Sequence, residues 1–170
     1  MKEIDINSFS FEVFSKIGKK GFLLASGNLE QHNCMTVAWA GLGYLWNKPM
    51  AFIYVRPQRY SYQFMEKNEY FSMNFLNDSQ DEILSFCGTK SGRDVNKMHI
   101  NGLTPLIYDN KVIYYKEANT VFICRKIYFQ DLNPENLLIK SVLKNYPLQD
   151  FHRIYYGEIE KTFVSLKDEK

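Results

Sequence analysis

Cysteine and histidine are scarce in this sequence, and their spacing does not suit a metal site. The 170 residues contain 3 cysteines and 3 histidines. The cysteines form no CxxC pair, and no two histidines stand four residues apart. We therefore expect reduced thiols, no zinc or other metal site and no redox dithiol. Catalysis by Cys34 with His32 is disfavoured because the spacing is unsuitable and no orienting third residue lies nearby in sequence.

Charge of one sign and long apolar runs are also lacking. Lys and Arg number 21 and Asp and Glu 19, which gives a net charge of +2. Nucleic acid and anionic membranes are therefore poor candidate partners. No stretch approaches the roughly 20 apolar residues of a membrane span, and the N-terminus lacks the basic-then-apolar order of a signal peptide. We expect a soluble, cytoplasmic protein.

Several common site motifs are missing. Gly41-Leu42-Gly43 begins like a dinucleotide fingerprint, but the third glycine is absent and Pro49 interrupts the chain soon afterwards. The sequence contains no P-loop, no HExxH zinc motif and no GxSxG nucleophile motif. These absences argue against Rossmann-type, P-loop and serine-hydrolase chemistry.

Aromatic residues, by contrast, are abundant, with 13 Phe, 12 Tyr and 2 Trp. A chain of this length buries about 70% of its unfolded surface, so it needs no disulfide or structural metal to hold a core. No internal repeat or low-complexity linker divides the chain. We expect a single domain over residues 1–170.

The local patterns predict more strand than helix. Segments rich in β-branched and aromatic residues, bounded by turn-forming residues, predict strands at Phe22 to Ser26, Met35 to Ala40, Met50 to Val55, Tyr70 to Phe75, Val121 to Phe129 and Tyr155 to Val164. Helices are predicted at Ser61 to Lys67, at Ser79 to Phe86 with Ser79 as its cap, and from the Asn133 cap to Leu143. The last helix has the clearest signals. The pattern favours a mainly antiparallel β barrel or sandwich with peripheral helices.

Three segments could bind an anionic, planar ligand. In the first, Asn33 and Thr36 offer an amide and a hydroxyl where a loop enters a strand. The alternative is an ordinary turn into a core strand.

The second segment follows an apolar strand and combines Arg56, Arg59 and Ser61 around Pro57. Guanidinium groups, a hydroxyl and the free N–H groups of a helix start are what a terminal phosphate needs. The alternative is a solvated basic turn.

The third segment contains Gly88 and Gly92, which let the backbone approach a ligand, with Ser91, Arg93 and Lys97 as donors. The alternative is a flexible surface loop. Near the C-terminus, His152 and Arg153 stand at the entrance to the final strand, which alone is a weak signal.

Taken in order, these motifs resemble the flavin reductase-like family, the FMN-binding split-barrel group that includes flavoredoxin. The resemblance runs from about Gly21 to Val164 and rests on Asn33-x-Met35-Thr36, Trp46-Asn47-Lys48-Pro49, Val55-Arg56-Pro57-x-Arg59-Tyr60-Ser61, Cys87-Gly88-Thr89-Lys90-Ser91-Gly92-Arg93-Asp94-x-x-Lys97 and His152-Arg153-x-Tyr155-x-Gly157-Glu158-Ile159. One departure is Asn96, where many relatives carry aspartate. Cys34 also occupies a variable position.

The resemblance implies a Greek-key split β barrel that forms a homodimer and holds FMN noncovalently near the subunit interface. It implies contacts to the flavin ring from Asn33, Cys34, Met35 and Thr36, and contacts to the ribityl phosphate end from Arg56, Arg59, Tyr60 and Ser61. Gly88, Ser91, Gly92 and Lys97 would border the flavin, and His152 would lie near the ring or the nicotinamide pocket as the candidate catalytic residue.

The leading functional hypothesis is an NAD(P)H-dependent flavin reductase, which passes hydride from nicotinamide to FMN N5 and then electrons to an unidentified acceptor. The alternative is a flavoredoxin-like electron-transfer protein without NAD(P)H oxidation of its own. A third hypothesis is an aromatic-rich β protein that binds another apolar ligand. The sequence leaves the choice of NADH or NADPH open.

Overall fold

The computed structural model describes residues 1–166, which fold mainly into antiparallel strands. The strands of this part of the chain are β1 (Lys2–Ile4), β2 (Phe22–Gly27), β3 (His32–Val37), β4 (Ala40–Leu45), β5 (Lys48–Val55), β6 (Tyr70–Phe75), β7 (Pro105–Tyr108), β8 (Val112–Tyr115), β9 (Thr120–Asp131) and β10 (Arg153–Val164). The helices are α1 (Ser61–Lys67), α2 (Asp81–Thr89), a π-helical segment (Phe14–Lys20) and short 3₁₀ turns at Ile6–Ser8, Asp78–Gln80, Pro134–Asn136 and Lys140–Asn145.

One large sheet organises the molecule. Its strands lie in the order β3-β2-β6-β9-β10-β5-β4, and β1 adds to β10. Each recorded strand pair is antiparallel, and β7 and β8 form a separate hairpin. The predicted mainly antiparallel β fold with peripheral helices is therefore confirmed. Among residues 1–166, no helix combines the length and apolar character needed to cross a membrane.

Strand β2 is buried on both faces, which explains its nearly continuous apolar sequence. Phe22 and Leu24 pack into one hydrophobic core, whereas Leu23 and Ala25 pack into a second. This alternation is the two-residue period of a strand. Helix α2 and the β7–β8 hairpin cover the second core, with Leu84 and Ile113 among its buried members.

The sheet curves around the first core and forms a barrel. Val37 from one edge strand, β3, is buried in this core, and Leu42 from the opposite edge strand, β4, packs against it. Side chains from both edges can share one core only if the sheet is strongly curved. The curvature brings the link between β3 and β4 close to the end of β5.

Gly157 allows this core to close tightly. A Cβ atom at Gly157 would lie 2.5 Å from Cζ of Phe71, well inside van der Waals contact. The register of the β9–β10 pair also shifts between Tyr156 and Gly157. A glycine is needed here because the Phe71 ring occupies the space of a side chain.

The helix predicted from Asn133 to Leu143 is wrong. Asn133 does accept a hydrogen bond from the Glu135 amide, as a cap should, but only the 3₁₀ turns Pro134–Asn136 and Lys140–Asn145 form. Leu138 is 96% exposed, so the apolar face has nothing to pack against. Tertiary packing supplies most of the stability of short helices, and here it is missing.

The remaining differences concern boundaries and elements that were not predicted, namely β1, β4, β7, β8 and the π-helical segment. The strand predicted from Met35 to Ala40 instead covers His32–Val37. Helix α2 begins at Asp81 and has no side-chain cap, so the predicted capping role of Ser79 is wrong. Strand β4 was not predicted, because its glycines favour other conformations and its position depends on pairing with β5.

Candidate functional site

Two adjoining clefts lie where β3, β5, α1 and the end of α2 meet. The polar cleft has a volume of about 300 Å³ and is lined by Asn33, Met35, Gln58, Arg59, Tyr60, Ser61, Cys87, Thr89, Lys90, Ser91, Gly92, Arg93 and Lys97. The aromatic cleft has a volume of about 370 Å³ and is lined by Met35, Thr36, Val37, Ala38, Trp39, Tyr54, Arg56, Arg59 and His152. Met35 and Arg59 line both, so the two clefts are neighbours.

A buried hydrogen bond ties β3 to α1 in the wall of the polar cleft. Asn33 Nδ2 donates to Ser61 Oγ at 2.7 Å, and both side chains are buried. Burying these two polar groups is tolerable because each satisfies the other. The bond fixes the start of α1 relative to β3, although the two residues are far apart in sequence.

Gly92 lets the segment after α2 close onto this wall. A Cβ atom at Gly92 would lie 2.4 Å from Asn33 Oδ1 and 2.4 Å from Cδ1 of Tyr60. Arg93 then anchors the segment, since its Nη1 donates to the Gln58 carbonyl at 2.9 Å and its guanidinium lies 5.4 Å from the centre of the Tyr60 ring. The segment is therefore packed against the cleft rather than extended into solvent.

Lys97 places a buried cation in the same wall. Its Nζ donates to the carbonyl oxygens of Cys34, at 3.2 Å, and Cys87, at 2.8 Å. Burial lowers the pKa of Lys97, while the neighbouring cysteines act in the opposite direction. Two carbonyl acceptors leave donor capacity on the ammonium group for a ligand in the cleft.

The two arginines of the second segment have different surroundings. Arg56 Nη1 donates to Asp150 Oδ2 at 2.7 Å and its Nη2 donates to the Asn145 carbonyl at 2.7 Å. Its guanidinium also lies 5.2 Å from the centre of the Tyr146 ring. Arg59 is exposed and makes no side-chain hydrogen bond or ion pair within residues 1–166. The expected paired guanidinium site is thus reduced to Arg59, because Asp150 and Asn145 occupy Arg56.

His152 is buried in the aromatic cleft beside Trp39, with 5.1 Å between the ring centres. Its Nδ1 lies 2.8 Å from the Tyr146 hydroxyl. Burial lowers the pKa of His152 to about 4, with the positive charge of Arg56 adding to the effect and Asp150 opposing it. The imidazole ring is therefore neutral at pH 7, so it is not a charged general acid at that pH.

Most of the predicted site residues come together. Asn33, Met35, Arg59, Tyr60, Ser61, Ser91, Gly92 and Lys97 line the polar cleft, and Thr36, Arg56 and His152 line the aromatic cleft. Arg153 does not join them, because its guanidinium pairs with Asp131 and Glu66.

Cys34 and Gly88 line neither cleft. The Cys34 side chain points the opposite way from those of Asn33 and Met35, as strand alternation requires, and packs in the second core. Gly88 is part of α2, where a Cβ atom would lie 3.3 Å from Cβ of Thr36. Gly88 therefore allows α2 to approach β3 closely. Any contact from Cys34 to a ligand in the clefts would come from its backbone.

Sequence reasoning missed several residues of the aromatic cleft. Tyr54 shares a face of β5 with Phe52, Arg56 continues the same two-residue period just after the strand, and this period was a usable signal. Tyr146 and Asp150, which contact lining residues without lining the cleft themselves, carried no local signal. Their contacts with His152 and Arg56 arise only when the 140–150 segment folds over the end of β5.

The sequence also gave no sign that Cys34 and Cys87 would meet. Their Sγ atoms lie 3.7 Å apart, and both side chains are buried. The expectation of no redox dithiol was based on short motifs, which cannot detect a pair formed across the fold. Within the described residues, no group of three or more His, Cys, Asp or Glu side chains could hold a metal ion.

Comparisons with known proteins agree with this architecture. A sequence profile described as the flavin reductase like domain matches residues 15–169. No curated protein sequence matches the chain. Among solved structures, the flavoredoxin of Methanosarcina acetivorans has a TM-score of 0.69 at 21% identity, covering 98% of this chain and 77% of that chain.

Two further solved structures share the fold. An FMN-binding protein from Thermus thermophilus with bound 1-cyclohex-2-enone has a TM-score of 0.67 at 16% identity, covering 85% of this chain and 69% of that chain. The NADH:FAD oxidoreductase of Streptomyces globisporus C-1027 has a TM-score of 0.65 at 13% identity, covering 86% and 75%. At these identities the likeness concerns the fold, and the predicted split-barrel fold is confirmed.

Proposed function

This chain belongs to the flavin reductase-like domain family, and we propose that it binds FMN and works as an NAD(P)H-dependent flavin oxidoreductase. The observation that carries the proposal is the junction of a polar, cationic cleft with an aromatic one at Met35 and Arg59. FMN has the same two-part chemistry, with a charged phosphate ester at one end and a flat tricyclic ring at the other. The residues present therefore fit the group.

The polar cleft would hold the phosphate end. Arg59 offers an unengaged guanidinium, Ser91 a hydroxyl and Lys97 a buried ammonium group. Charge-assisted hydrogen bonds to phosphate are stronger than neutral ones. Asn33 and Ser61 shape the wall through their mutual hydrogen bond, so they position this end of the cleft.

The aromatic cleft would hold the ring end, with Met35 at the junction and Trp39, Tyr54 and His152 beyond it. Flat aromatic side chains exclude water and orient a planar ligand by stacking. Bound FMN supplies a hydride acceptor at its N5 atom and passes electrons on to an acceptor. His152 is neutral at pH 7, so it would offer the flavin ring a neutral hydrogen-bonding group rather than a positive charge.

Cations near the junction support the reduced state. Negative charge develops on a flavin ring as it takes up electrons, and fixed donors or positive charges nearby stabilise it. Arg59 lines both clefts and Arg56 lies in the aromatic one. Because Arg56 is held by Asp150 and Asn145, its charge is fixed in place before any ligand arrives.

A flavoredoxin-like electron carrier is the second candidate function. The observation that favours it is the likeness to the Methanosarcina acetivorans flavoredoxin, which extends over 98% of this chain. An anaerobic titration separates the two. A reductase loses its flavin absorbance on addition of NADH or NADPH, whereas a carrier loses it only with dithionite. Bleaching by neither nicotinamide would reject the reductase assignment.

We also propose a single domain over residues 1–170, a homodimeric assembly and a cytoplasmic location. The assembly is supported by an aromatic group on the sheet face that points away from the first core, where the exposed Trp46 and Tyr128 pack against Tyr156. Exposed apolar patches of this kind often mark protein interfaces. Light scattering on the purified protein measures the assembly, and a monomeric mass at micromolar concentration would contradict it. The electron acceptor is a partner still to be identified.

A further inference from the structure

Two of the three cysteines meet beside the polar cleft. Cys34 in β3 and Cys87 in α2 have their Sγ atoms 3.7 Å apart. Both are free thiols, and both are almost fully buried. Cys87 also lines the polar cleft, so the pair lies directly behind the wall of that cleft.

Hydrogen-bond donors gather around this pair. Lys97 Nζ bonds to the carbonyl oxygens of both cysteines, which holds β3 and the end of α2 together. The Tyr115 hydroxyl interacts with Cys34 and is buried without a regular hydrogen-bond partner in residues 1–166. A thiolate is a better acceptor than a thiol, so this environment suits an ionised sulfur at Cys34.

The two thiols are not equivalent. The contact with Cys87 lowers the pKa of Cys34 while burial opposes it, with smaller lowering contributions from Tyr115 and the charge of Lys97. The same contact, together with burial, raises the pKa of Cys87. The pair therefore favours a thiolate at one sulfur, with the other thiol donating a hydrogen bond to it across the 3.7 Å contact.

We propose that Cys34 and Cys87 form a redox site that a peroxide entering the polar cleft converts into a disulfide, and that FMN bound in the cleft shields it. Two S–H bonds and the O–O bond of the peroxide break, and one S–S bond forms. Two electrons pass from the sulfur atoms to the peroxide oxygens, which leave with the two protons as water. The shielding rests on the proposed function, whereas the oxidation does not.

Closing the disulfide must alter the cleft. A disulfide bond is about 2.05 Å long, so the two sulfur atoms have to move together and draw their backbones with them. Lys97 is bonded to both of those backbones and lines the polar cleft. Oxidation therefore displaces a proposed phosphate ligand, and we expect the oxidised protein to bind FMN several-fold more weakly.

Cys124 provides a matched internal control. It is fully buried in the first core, whereas the Cys34–Cys87 pair lies in the second core. Burial raises the pKa of Cys124, and no thiol of the described chain is in contact with it. A buried cysteine of this kind is unreactive.

The test uses the flavin-free full-length protein. It is treated with hydrogen peroxide, unfolded, alkylated and examined by intact mass and peptide mapping. We expect a loss of two hydrogen masses per chain, a Cys34–Cys87 linked peptide and alkylation at Cys124 alone. Three alkylated cysteines, or overoxidation without the linked peptide, would overturn the redox site. The wild-type result decides this without any variant.

Three variants sharpen the result. Cys124→Ser should form the disulfide as the wild type does, whereas Cys34→Ser and Cys87→Ser should not. Circular dichroism spectra establish that each variant is folded. A disulfide between Cys124 and either other cysteine would contradict the pairing.

A second arm adds saturating FMN before the peroxide. We expect disulfide formation to slow at least tenfold, because the ligand covers the route to Cys87. An unchanged rate with FMN bound would overturn the shielding and the assignment of the polar cleft, while the redox pair would stand. If FMN does not bind at all, the proposed function fails and the first arm still judges the thiol pair.

Discussion

The hydroxyl of Tyr146 lies 2.8 Å from Nδ1 of His152, and both side chains are buried. Tyr146 is held from its other side by the guanidinium of Arg56, which lies over its ring and pairs with Asp150. We expect the phenol to donate to Nδ1, which leaves the hydrogen of the neutral ring on Nε2. The orientation of His152 in the aromatic cleft is thus set by Tyr146, which does not line the cleft.

Replacing Tyr146 with Phe should release this control. We expect Tyr146→Phe to destabilise the protein by about 1–3 kcal/mol, because a buried ring nitrogen loses its partner. Urea unfolding measures the loss, and nitrogen NMR of His152 should show Nε2 protonated in the wild type and a mixture of tautomers in the variant. Tyr114→Phe, in β8, is the control. Equal tautomer populations in the two proteins would contradict the assigned role.

His152 should make stability depend on pH in a defined range. Its pKa is lowered from 6.5 to about 4 in the folded protein, mainly by burial. Between these values the unfolded chain binds the proton more readily, so stability falls as the pH falls from 6.5 towards 4. His152→Gln should lose this component, which urea unfolding at several pH values measures. If the free energy of unfolding of the two proteins changed with pH in parallel, His152 would not be the source of the pH dependence.

The two arginines of the second segment should have separable effects. Arg59→Ala should weaken FMN binding by about 1.5–3 kcal/mol, because a charge-assisted phosphate contact is lost. Arg56→Ala should instead lower the free energy of unfolding, since it leaves Asp150 without its ion-pair partner. Calorimetric FMN titrations and urea unfolding measure the two quantities. Arg125→Ala, which breaks an exposed ion pair with Glu69, is the control.

If Arg56→Ala weakened FMN binding as much as Arg59→Ala while leaving stability unchanged, the division of roles between the two arginines would be wrong.

Gly92 should tolerate no side chain. Gly92→Ala places a methyl group 2.4 Å from Asn33 Oδ1, and the segment after α2 has to move away from the polar cleft. We expect roughly tenfold weaker FMN binding and a stability loss of about 1–3 kcal/mol. Gly18→Ala is the matched control, because nothing lies within 4 Å of a Cβ atom there. Equal effects of the two substitutions would show that Gly92 is not sterically constrained.

Local signals predicted much of the fold. The bounds of Tyr70–Phe75 and Ser61–Lys67 agree with the structure because their composition and flanking residues mark both ends. The helix after Asn133 failed because a cap and an apolar period do not supply a surface to pack against. The strand Ala40–Leu45 was missed because its pairing partner, rather than its own glycines, stabilises it.

The candidate site was predictable in its residues and less so in their contacts. Asn33, Ser61 and Lys97 were identified from their types and order, and the fold brings them together. The engagement of Arg56 by Asp150 spans 94 positions and leaves no trace in a local pattern. The approach of Cys34 and Cys87 over 53 positions is hidden for the same reason.

We propose that the polar cleft around Arg59 holds the phosphate of FMN, and a comparison of the affinities for FMN and riboflavin tests this assignment. Riboflavin has the same ring and lacks the phosphate. We predict that the wild type binds FMN roughly 10- to 100-fold more tightly than riboflavin and that Arg59→Ala removes most of this difference. Equal affinities for the two flavins in the wild type, or binding of neither, would show that the polar cleft is not a phosphate site for FMN.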